Sequence, residues 1–488
     1  MFKKLSKYVL LPLAALYLLL LIPDTDQLQS QVAEAKPFLW NKDERWKSLE
    51  TSFATLKNLP QHEKDSLYKV QMLILEEQVN QLMYDSLANH DDPRLTHILD
   101  SFFETAPVVA ATRQTDKYVA IYNQFRKFIK EQSRNWDPNH PTYRTNLYTL
   151  MYGMRAAVEE VLLQADTLNF NPVQLVKEEP SATPSTLLQG IRVHSGDLLV
   201  SRGGAEVSAF ISRGNDYPGN FSHVALLHVD DKGEARFIEA HIEKGVAIAT
   251  ADEYLKDKKL RFMVLRPRAD LTQLKEDPLL PHYAAQFAFQ ESENRHIPYD
   301  FKMDFYDSTA MFCSEVGSFA YKKYGIQLWQ AESTISSVGT ASWLNTFGVE
   351  NFVTQMPSDL EYDPQLAIVA EWCDPETLFK DHLDNAVMDA LLERANKGEK
   401  ISYSTWLLPI ARVVKGYSII QNAFGKPGII PEGMSATRAL KNNSFVDMYQ
   451  HVRSGTEEKV NTFIKANGYR PPYWQLVAFA EQSTHLAD

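Results

Sequence analysis

The sequence predicts an α+β fold in which a small antiparallel β-sheet domain lies between two helical regions. Three observations indicate this architecture. Apolar residues recur at helical spacing before residue 175, short β-like runs separated by turn residues occupy 197–265, and helical spacing returns after Pro281. Of the 488 residues, 44% are hydrophobic and 23% are charged, so the chain can bury a large core and global disorder is excluded.

The composition also excludes several classes of function. The chain has 50 basic and 62 acidic residues, and a net charge of −12 disfavours non-specific binding to nucleic acid. Two cysteines exclude a disulfide scaffold and a multi-cysteine zinc site. The 13 histidines form no His-x-x-x-His pair, and no glycine-rich phosphate loop is present. We therefore expect no nucleic-acid partner, no metal and no cofactor.

Residues 1–25 predict a signal anchor or a signal peptide. Three lysines in the first seven residues precede an uncharged stretch, 8–23, which is shorter than the roughly 20 residues of a typical spanning helix. A buried core helix is the alternative, but the charge asymmetry favours export. The basic flank places 26–488 outside the cytoplasm, on the periplasmic side of the inner membrane. Since the only candidate cleavage site, 32–35, is distant, we expect a retained anchor.

The next two segments differ in composition. In the predicted helical region 26–175, Tyr68, Met72, Leu75, Val79 and Leu82 form one apolar stripe, and a second stripe occupies 147–162. We interpret both stripes as the core of a helix bundle. Residues 176–189 combine charge, proline and small polar residues, which is typical of a linker.

The predicted β-rich domain covers 190–375. Its β-like runs are 197–200, 222–229, 236–240, 246–248, 261–265 and 366–369. A helix is predicted to begin near Phe312, because Phe312, Val316 and Phe319 lie on one face, and to end near Gly325. Residues 376–488 form a second helical region.

Three side chains in this domain suggest thiol chemistry. Cys313 begins an apolar helix, His223 begins an apolar strand, and Glu239 lies in the next strand. A helix N-terminus lowers the pKa of a thiol, an imidazole can accept its proton, and a third polar group can orient the imidazole. The residues alone leave other interpretations open: a core cysteine, a structural histidine, or a disulfide between Cys313 and Cys373.

A series of motifs in a fixed order gives a more specific indication. The motifs are Gly196-Asp197-Leu198-Leu199, Ser222-His223-Val224, Ile238-Glu239-Ala240, Gly245-Val246, Pro298-Tyr299-Asp300-Phe301 and Phe312-Cys313-Ser314-Glu315. This order resembles the permuted papain-like cysteine hydrolases, the YiiX/YebB/YaeF-like branch of the NlpC-type superfamily, in which the histidine precedes the cysteine. The resemblance covers about 190–375 and implies a permuted papain-like domain with a small sheet or barrel and a catalytic helix.

The resemblance also implies residue roles. Cys313 matches the nucleophile, His223 the general base and Glu239 the orienting residue. His241 shares the strand face of Glu239 and is the alternative third residue. Tyr299 and Asp300 match an element beside the active site, although ordinary turn packing explains them equally well.

Two classes of function follow from these observations. The first is a membrane-tethered, exported cysteine hydrolase, a thiol peptidase or amidase that cleaves amide bonds in cell-wall peptides such as peptidoglycan through an acyl-enzyme. With the same triad, a lipid acyl hydrolase or acyltransferase is the alternative. The second class is a non-catalytic peptide-binding scaffold on the same fold. The intact cysteine, histidine and glutamate set argues against a scaffold.

Overall fold

A seven-stranded antiparallel sheet forms the centre of the protein, and helices cover it. The computed structural model describes residues 11–24, 43–85, 89–164, 171–203, 205–257 and 259–484. The sheet order is β1-β11-β8-β4-β5-β6-β7. The strands are β1 Val173–Leu175, β2 Ser185–Leu188, β3 Ile191–His194, β4 Leu198–Ser201, β5 His223–Val229, β6 Ala235–His241, β7 Gly245–Thr250, β8 Arg261–Pro267, β9 Ser333–Thr334, β10 Val353–Thr354 and β11 Leu366–Cys373.

The helices lie on both sides of the sheet region in the sequence, as expected for the α+β class. Those before the sheet domain are α1 Leu11–Leu20, α2 Asp43–Lys57, α3 Gln61–Asp85, α4 Pro93–Thr112, α5 Asp116–Gln132 and α6 Pro141–Leu163. Those within it are α7 Glu206–Arg213, α8 Ala251–Lys256, α9 Thr272–Glu276, α10 Leu280–Asn294, α11 Cys313–Lys322 and α12 Val338–Phe347. Those after it are α13 Pro375–Asn396, α14 Leu408–Ala423, α15 Ala436–Asn467 and α16 Tyr473–Thr484. The predicted fold class is confirmed.

The predicted apolar stripes form the core of the N-terminal helices. Met72, Leu75, Val79 and Leu82 are buried on α3, and the 147–162 stripe is buried on α6. This core is continuous with one face of the sheet. The segment expected to be a linker contains β2, which pairs with β3. The region expected to be helical contains β1, which pairs with β11.

The two faces of the sheet have different neighbours because strand side chains alternate. Leu198, Val224 and Leu226 face the core that contains α10 and α11. Leu199, Leu227 and Phe237 face the opposite core, which includes the β2–β3 hairpin and α8. The sheet is thus buried on both faces, as its continuous apolar runs require.

Buried charges join the sheet to the helices before and after it. Arg261 on β8 is fully buried and contacts Glu159 of α6, with Nη1 2.6 Å from Oε1. Its Nε lies 2.7 Å from Asp381 Oδ2 on α13. Nearby, Arg126 of α5 contacts both Glu361 and Glu371 at 3.0 Å. Removing one partner would leave an uncompensated buried charge, which typically costs about 3–5 kcal/mol. The network therefore fixes how the helices dock on the sheet.

Residues 1–10 and 25 of the predicted export segment lie outside the described residues, as does the candidate cleavage site at 32–35. Within the described ranges, no helix combines the length and the apolarity needed to cross a membrane. The export and anchor predictions stay predictions.

Candidate active site

The site is built on the first turn of α11, which begins at Cys313. Val316 and Ala320 are buried against the sheet, and Gly317 lets the helix approach it closely: a Cβ at Gly317 would lie 2.7 Å from Leu198 Cδ2. The Glu315 carboxylate accepts the Phe312 backbone N–H at 2.9 Å and so caps the helix. Packing and capping together fix the position of Cys313.

Burial dominates the ionisation of the Cys313 thiol. Desolvation raises the pKa of Cys313 to about 11, although hydrogen bonds from the Val224 and Ser314 backbone act in the opposite direction. The backbone N–H groups at the helix start act in the expected direction, but the desolvation effect is larger. The thiol is therefore protonated near neutral pH and needs a base to become a nucleophile.

His223 and Glu239 meet where β5 and β6 diverge. The register between these strands covers Leu226–Val229 of β5, whereas His223 pairs with β4 and Glu239 with β7. The side chains bridge the resulting gap: His223 Nε2–H donates to Glu239 Oε2 at 2.6 Å. The ring nitrogen of His223 that remains for a proton-transfer partner is Nδ1.

Glu239 is the centre of a small charged cluster. Its Oε1 lies 3.1 Å from His241 Nε2, and its Oε2 lies 3.8 Å from Lys259 Nζ. Burial alone would raise the pKa of Glu239, but the hydrogen bonds from His223 and His241 and the Lys259 charge hold it well below its usual range. The carboxylate therefore stays ionised.

Burial and the charge of Lys259 keep His223 neutral. Burial, followed by the nearby Lys259 charge, lowers the pKa of His223 below its ordinary value of 6.5, and Glu239 only partly offsets these effects. A neutral imidazole can accept a proton. His241 bonds to Glu239 rather than to His223, so Glu239 is the group that orients the candidate base.

The thiol and the imidazole line one cavity of about 850 Å³. The Cys313 Sγ lies 4.0 Å from the Ser222 carbonyl oxygen, one residue before His223. The thiol thus points toward the chain that carries the base, and the structure shows no bond between Sγ and the imidazole among the described residues. His241 and Tyr299 also border the cavity.

Tyr299 and Asp300 have different environments. Backbone hydrogen bonds join their segment to Met311, two residues before Cys313. Burial and the proximity of Cys313 raise the pKa of Tyr299, so its hydroxyl keeps its proton. Asp300 lines the cavity too, but its carboxylate accepts the backbone N–H groups of Lys302 at 2.8 Å and Asp304 at 2.6 Å. Asp300 therefore organises a turn.

The far wall of the cavity comes from the C-terminal helical region. Its apolar residues include Ala411, Val414, Ile430, Met434, Leu440 and Val446. This wall, together with Lys259 and Glu315, was not predicted. The glutamate two residues after Cys313 is a capping pattern that sequence could have indicated, whereas nothing local marks Lys259 as a neighbour of Glu239.

The two cysteines lie in different parts of the fold. Cys313 and Cys373 are both free thiols, so the disulfide alternative is wrong: Cys313 opens a helix at the cavity, whereas Cys373 ends β11 beside Arg261. Within the described part of the chain, no group of three or more histidine, cysteine or acidic side chains is arranged to hold a metal ion.

Comparison with known proteins identifies the central domain. Residues 192–370, fewer than half of the 488, match the family described as permuted papain-like amidase enzyme, YaeF/YiiX, C92 family. The central domain is of the permuted papain-like type. The resemblance expected from the order of the motifs is thereby confirmed, and the family is one of amidases or peptidases.

A solved structure also matches. It is the crystal structure of the metalloprotein yiiX from Escherichia coli O157:H7, with 17% sequence identity and a TM-score of 0.29. The match covers 37% of this chain and 97% of that chain. No curated protein matches this chain.

Proposed function

We propose that this protein is a cysteine hydrolase that cleaves amide bonds through an acyl-enzyme on Cys313. The observation that carries the proposal is that Cys313 and a neutral His223 line one cavity of the permuted papain-like domain, with an ionised Glu239 hydrogen-bonded to His223. The description of the matched family as amidases supports the choice of bond.

In the first half-reaction, His223 Nδ1 takes the thiol proton while Sγ forms a bond to the substrate carbonyl carbon. The imidazolium returns the proton to the leaving nitrogen, and the C–N bond breaks. Backbone N–H groups at the start of α11 are the proposed donors to the oxyanion, with the protonated Tyr299 hydroxyl nearby. In the second half-reaction, water gives a proton to His223 while its oxygen bonds to the acyl carbon. The C–S bond then breaks, the carboxylic acid leaves, and the imidazolium returns the proton to Sγ, which restores the Cys313 thiol.

Glu239 has an electrostatic role in this scheme. When His223 takes a proton, the new positive charge lies 2.6 Å from an ionised carboxylate. The ion pair stabilises the charged intermediate and offsets the opposing charge of Lys259. Glu239 also fixes which ring nitrogen faces the thiol.

Cell-wall peptides remain the proposed substrates, because the basic N-terminal flank and the apolar run favour export. In the proposed location, a single N-terminal anchor holds the domain on the periplasmic side of the inner membrane. A reporter fused at the C-terminus that is active only in the cytoplasm would contradict this topology. N-terminal sequencing that begins near Lys36 would contradict the anchor alone.

A second candidate function is the hydrolysis or transfer of acyl groups from lipids. The apolar far wall of the cavity favours it, since a cell-wall peptide offers little to bury there. The same triad would serve, because a thiolate attacks esters and amides alike.

The deciding assay offers the full chain peptidoglycan fragments and acylated lipids in separate reactions, with products identified by mass spectrometry. The Cys313→Ala variant is the blank, and Cys373→Ala is the matched control for loss of a buried thiol. Release of peptide fragments that depends on Cys313 supports the first candidate, and release of fatty acid alone supports the second. Equal turnover by Cys313→Ala would contradict both.

A further inference from the structure

Helix α14 presents an apolar stripe to the outside of the protein. The stripe starts in the turn before the helix and advances in steps of three and four residues, so it occupies one face. Its members are Trp406, Ile410, Val413, Tyr417, Ile420 and Phe424, each at least half exposed. The opposite side of the helix is buried through Leu408, Ala411 and Ser418. A surface helix of a water-soluble domain normally turns its polar residues, and not its apolar residues, toward solvent.

The apolar helix α1 lies beside this stripe. The Tyr17 hydroxyl donates to the Trp406 carbonyl oxygen at 3.1 Å, and the two rings stack. Arg412 of α14 donates to the Ile22 carbonyl oxygen at 2.5 Å and pairs with Asp24 at 3.1 Å. Helix α1 also exposes Leu13, Leu16, Leu18 and Leu19. The two helices thus form one continuous exposed apolar area, here called the α1–α14 surface.

The charge around this surface differs from that of the rest of the chain. Residues 400–431 contain Lys400, Arg412, Lys415 and Lys426 and no aspartate or glutamate. Glu399 and Glu432 flank this segment and Arg412 pairs with Asp24, so the local excess of positive charge is small, in a chain with a net charge of −12. Local positive charge beside an exposed apolar face is complementary to a membrane with anionic headgroups. Tyrosine and tryptophan at the edge of the face are typical of the membrane–water interface.

We propose that the α1–α14 surface docks on a phospholipid bilayer that carries anionic headgroups. The docked helix would also be a wall of the cavity, because Ala411 and Val414 on its other side line the same space as Cys313. The inference goes beyond the proposed function, since docking requires neither the thiol nor its base. It gives α14 two roles: an outer bilayer-facing stripe and an inner cavity wall.

The test measures quenching of Trp406 fluorescence by bromine atoms on lipid acyl chains. The full-length protein is mixed with vesicles of brominated phosphatidylcholine, with or without phosphatidylglycerol. Because the chain has 8 tryptophans, the contribution of Trp406 is the difference between the native protein and Trp406→Phe. We expect this difference to be present and to increase with phosphatidylglycerol.

Paired substitutions separate docking by α14 from attachment through the N-terminus. Val413→Asp with Ile420→Asp places two charges on the stripe and should weaken the Trp406 quenching on the order of tenfold or more. The matched control is Val338→Asp, at an exposed valine of α12 outside the α1–α14 surface. The control should quench like the native protein. Near-native circular dichroism of the double variant excludes unfolding as the cause.

Three outcomes would overturn the proposal. Equal quenching in the native protein and Trp406→Phe would show that the stripe does not reach the acyl chains. Unchanged quenching in the double variant would show that the apolar stripe is not what binds α14 to the bilayer. A dimer that the double variant dissociates, without any lipid dependence, would assign the stripe to a second copy of the chain. Cys313→Ala should dock normally, so failure of docking and failure of hydrolysis are distinguishable.

Discussion

Replacing Glu239 with glutamine tests the proposed charge arrangement in the site. The substitution keeps the size of the side chain and removes its negative charge, which lies 2.6 Å from His223 Nε2. A hydrogen bond to a charged group contributes roughly 1.5–3 kcal/mol, and the imidazolium that forms during turnover needs it most. Since each 1.4 kcal/mol is tenfold in rate, kcat/KM should fall about 10- to 150-fold.

The pH dependence of Glu239→Gln distinguishes this role from simple loss of packing. The carboxylate raises the pKa of His223 against the effects of burial and of Lys259, so its removal should lower that pKa further. The acid limb of the kcat/KM profile, where His223 becomes protonated, should therefore move to lower pH. A merely structural defect would reduce the rate at all pH values and leave the limb in place.

The matched control for this prediction is Glu234→Gln, a glutamate exposed just before β6. It removes the same charge without touching the site, and kcat/KM should stay within about twofold of the native value. The reasoning is refuted if Glu239→Gln has native kcat/KM and a native pH profile.

The remaining predictions concern four other residues. His223→Ala should reduce kcat by about 10²–10⁴-fold and slow the alkylation of Cys313 by iodoacetamide near neutral pH, because the base that accepts the thiol proton is lost; an unchanged alkylation rate and pH profile would contradict this. His241→Asn should cost kcat less than tenfold, because the hydrogen bond that orients His223 is made to Glu239 and not to His241; a loss as large as that of Glu239→Gln would make His241 the third residue instead. Tyr299→Phe should lower kcat by about tenfold with KM unchanged if its hydroxyl assists the oxyanion; a change in KM alone would assign it to binding. Cys373→Ala should leave kcat/KM native, and a large loss would implicate this thiol.

Much of the sheet domain was predictable because its strands are short apolar runs bounded by turn residues. The runs at 222–229 and 236–240 became β5 and β6 within a residue or two. Strand β1 could not be predicted, because Val173–Leu175 is too short to show an alternation of apolar and polar residues. Its extended structure comes from pairing with β11. Contacts between distant parts of the chain decide such elements.

The site was predictable in its residue types but not in its energetics. The order of the motifs indicated His223, Glu239 and Cys313; the structure places Cys313 and His223 at one cavity, and Glu239 is hydrogen-bonded to His223. The net direction of the Cys313 pKa shift could not be predicted, because helix position is a local property, whereas burial depends on the whole fold. Lys259 was missed for the same reason.

The net charge of the chain does not indicate how charge is distributed along it. A net charge of −12 disfavours contact with a polyanion such as nucleic acid, yet the charged residues within 400–431 are all basic. The exposed stripe of α14 also shows the spacing of an ordinary core-facing helix. Only the structure distinguishes the outer face of this helix from its inner face.

The most direct test of the central claim is the intact mass of the protein after reaction with an acyl-enzyme-trapping probe, followed by peptide mapping. The account predicts one adduct on Cys313, none on Cys373, and formation at least about 10²-fold slower in His223→Ala. Cys313→Ala should give no adduct. An adduct that forms on Cys313 equally fast without His223, or substrate turnover by Cys313→Ala, would contradict the account.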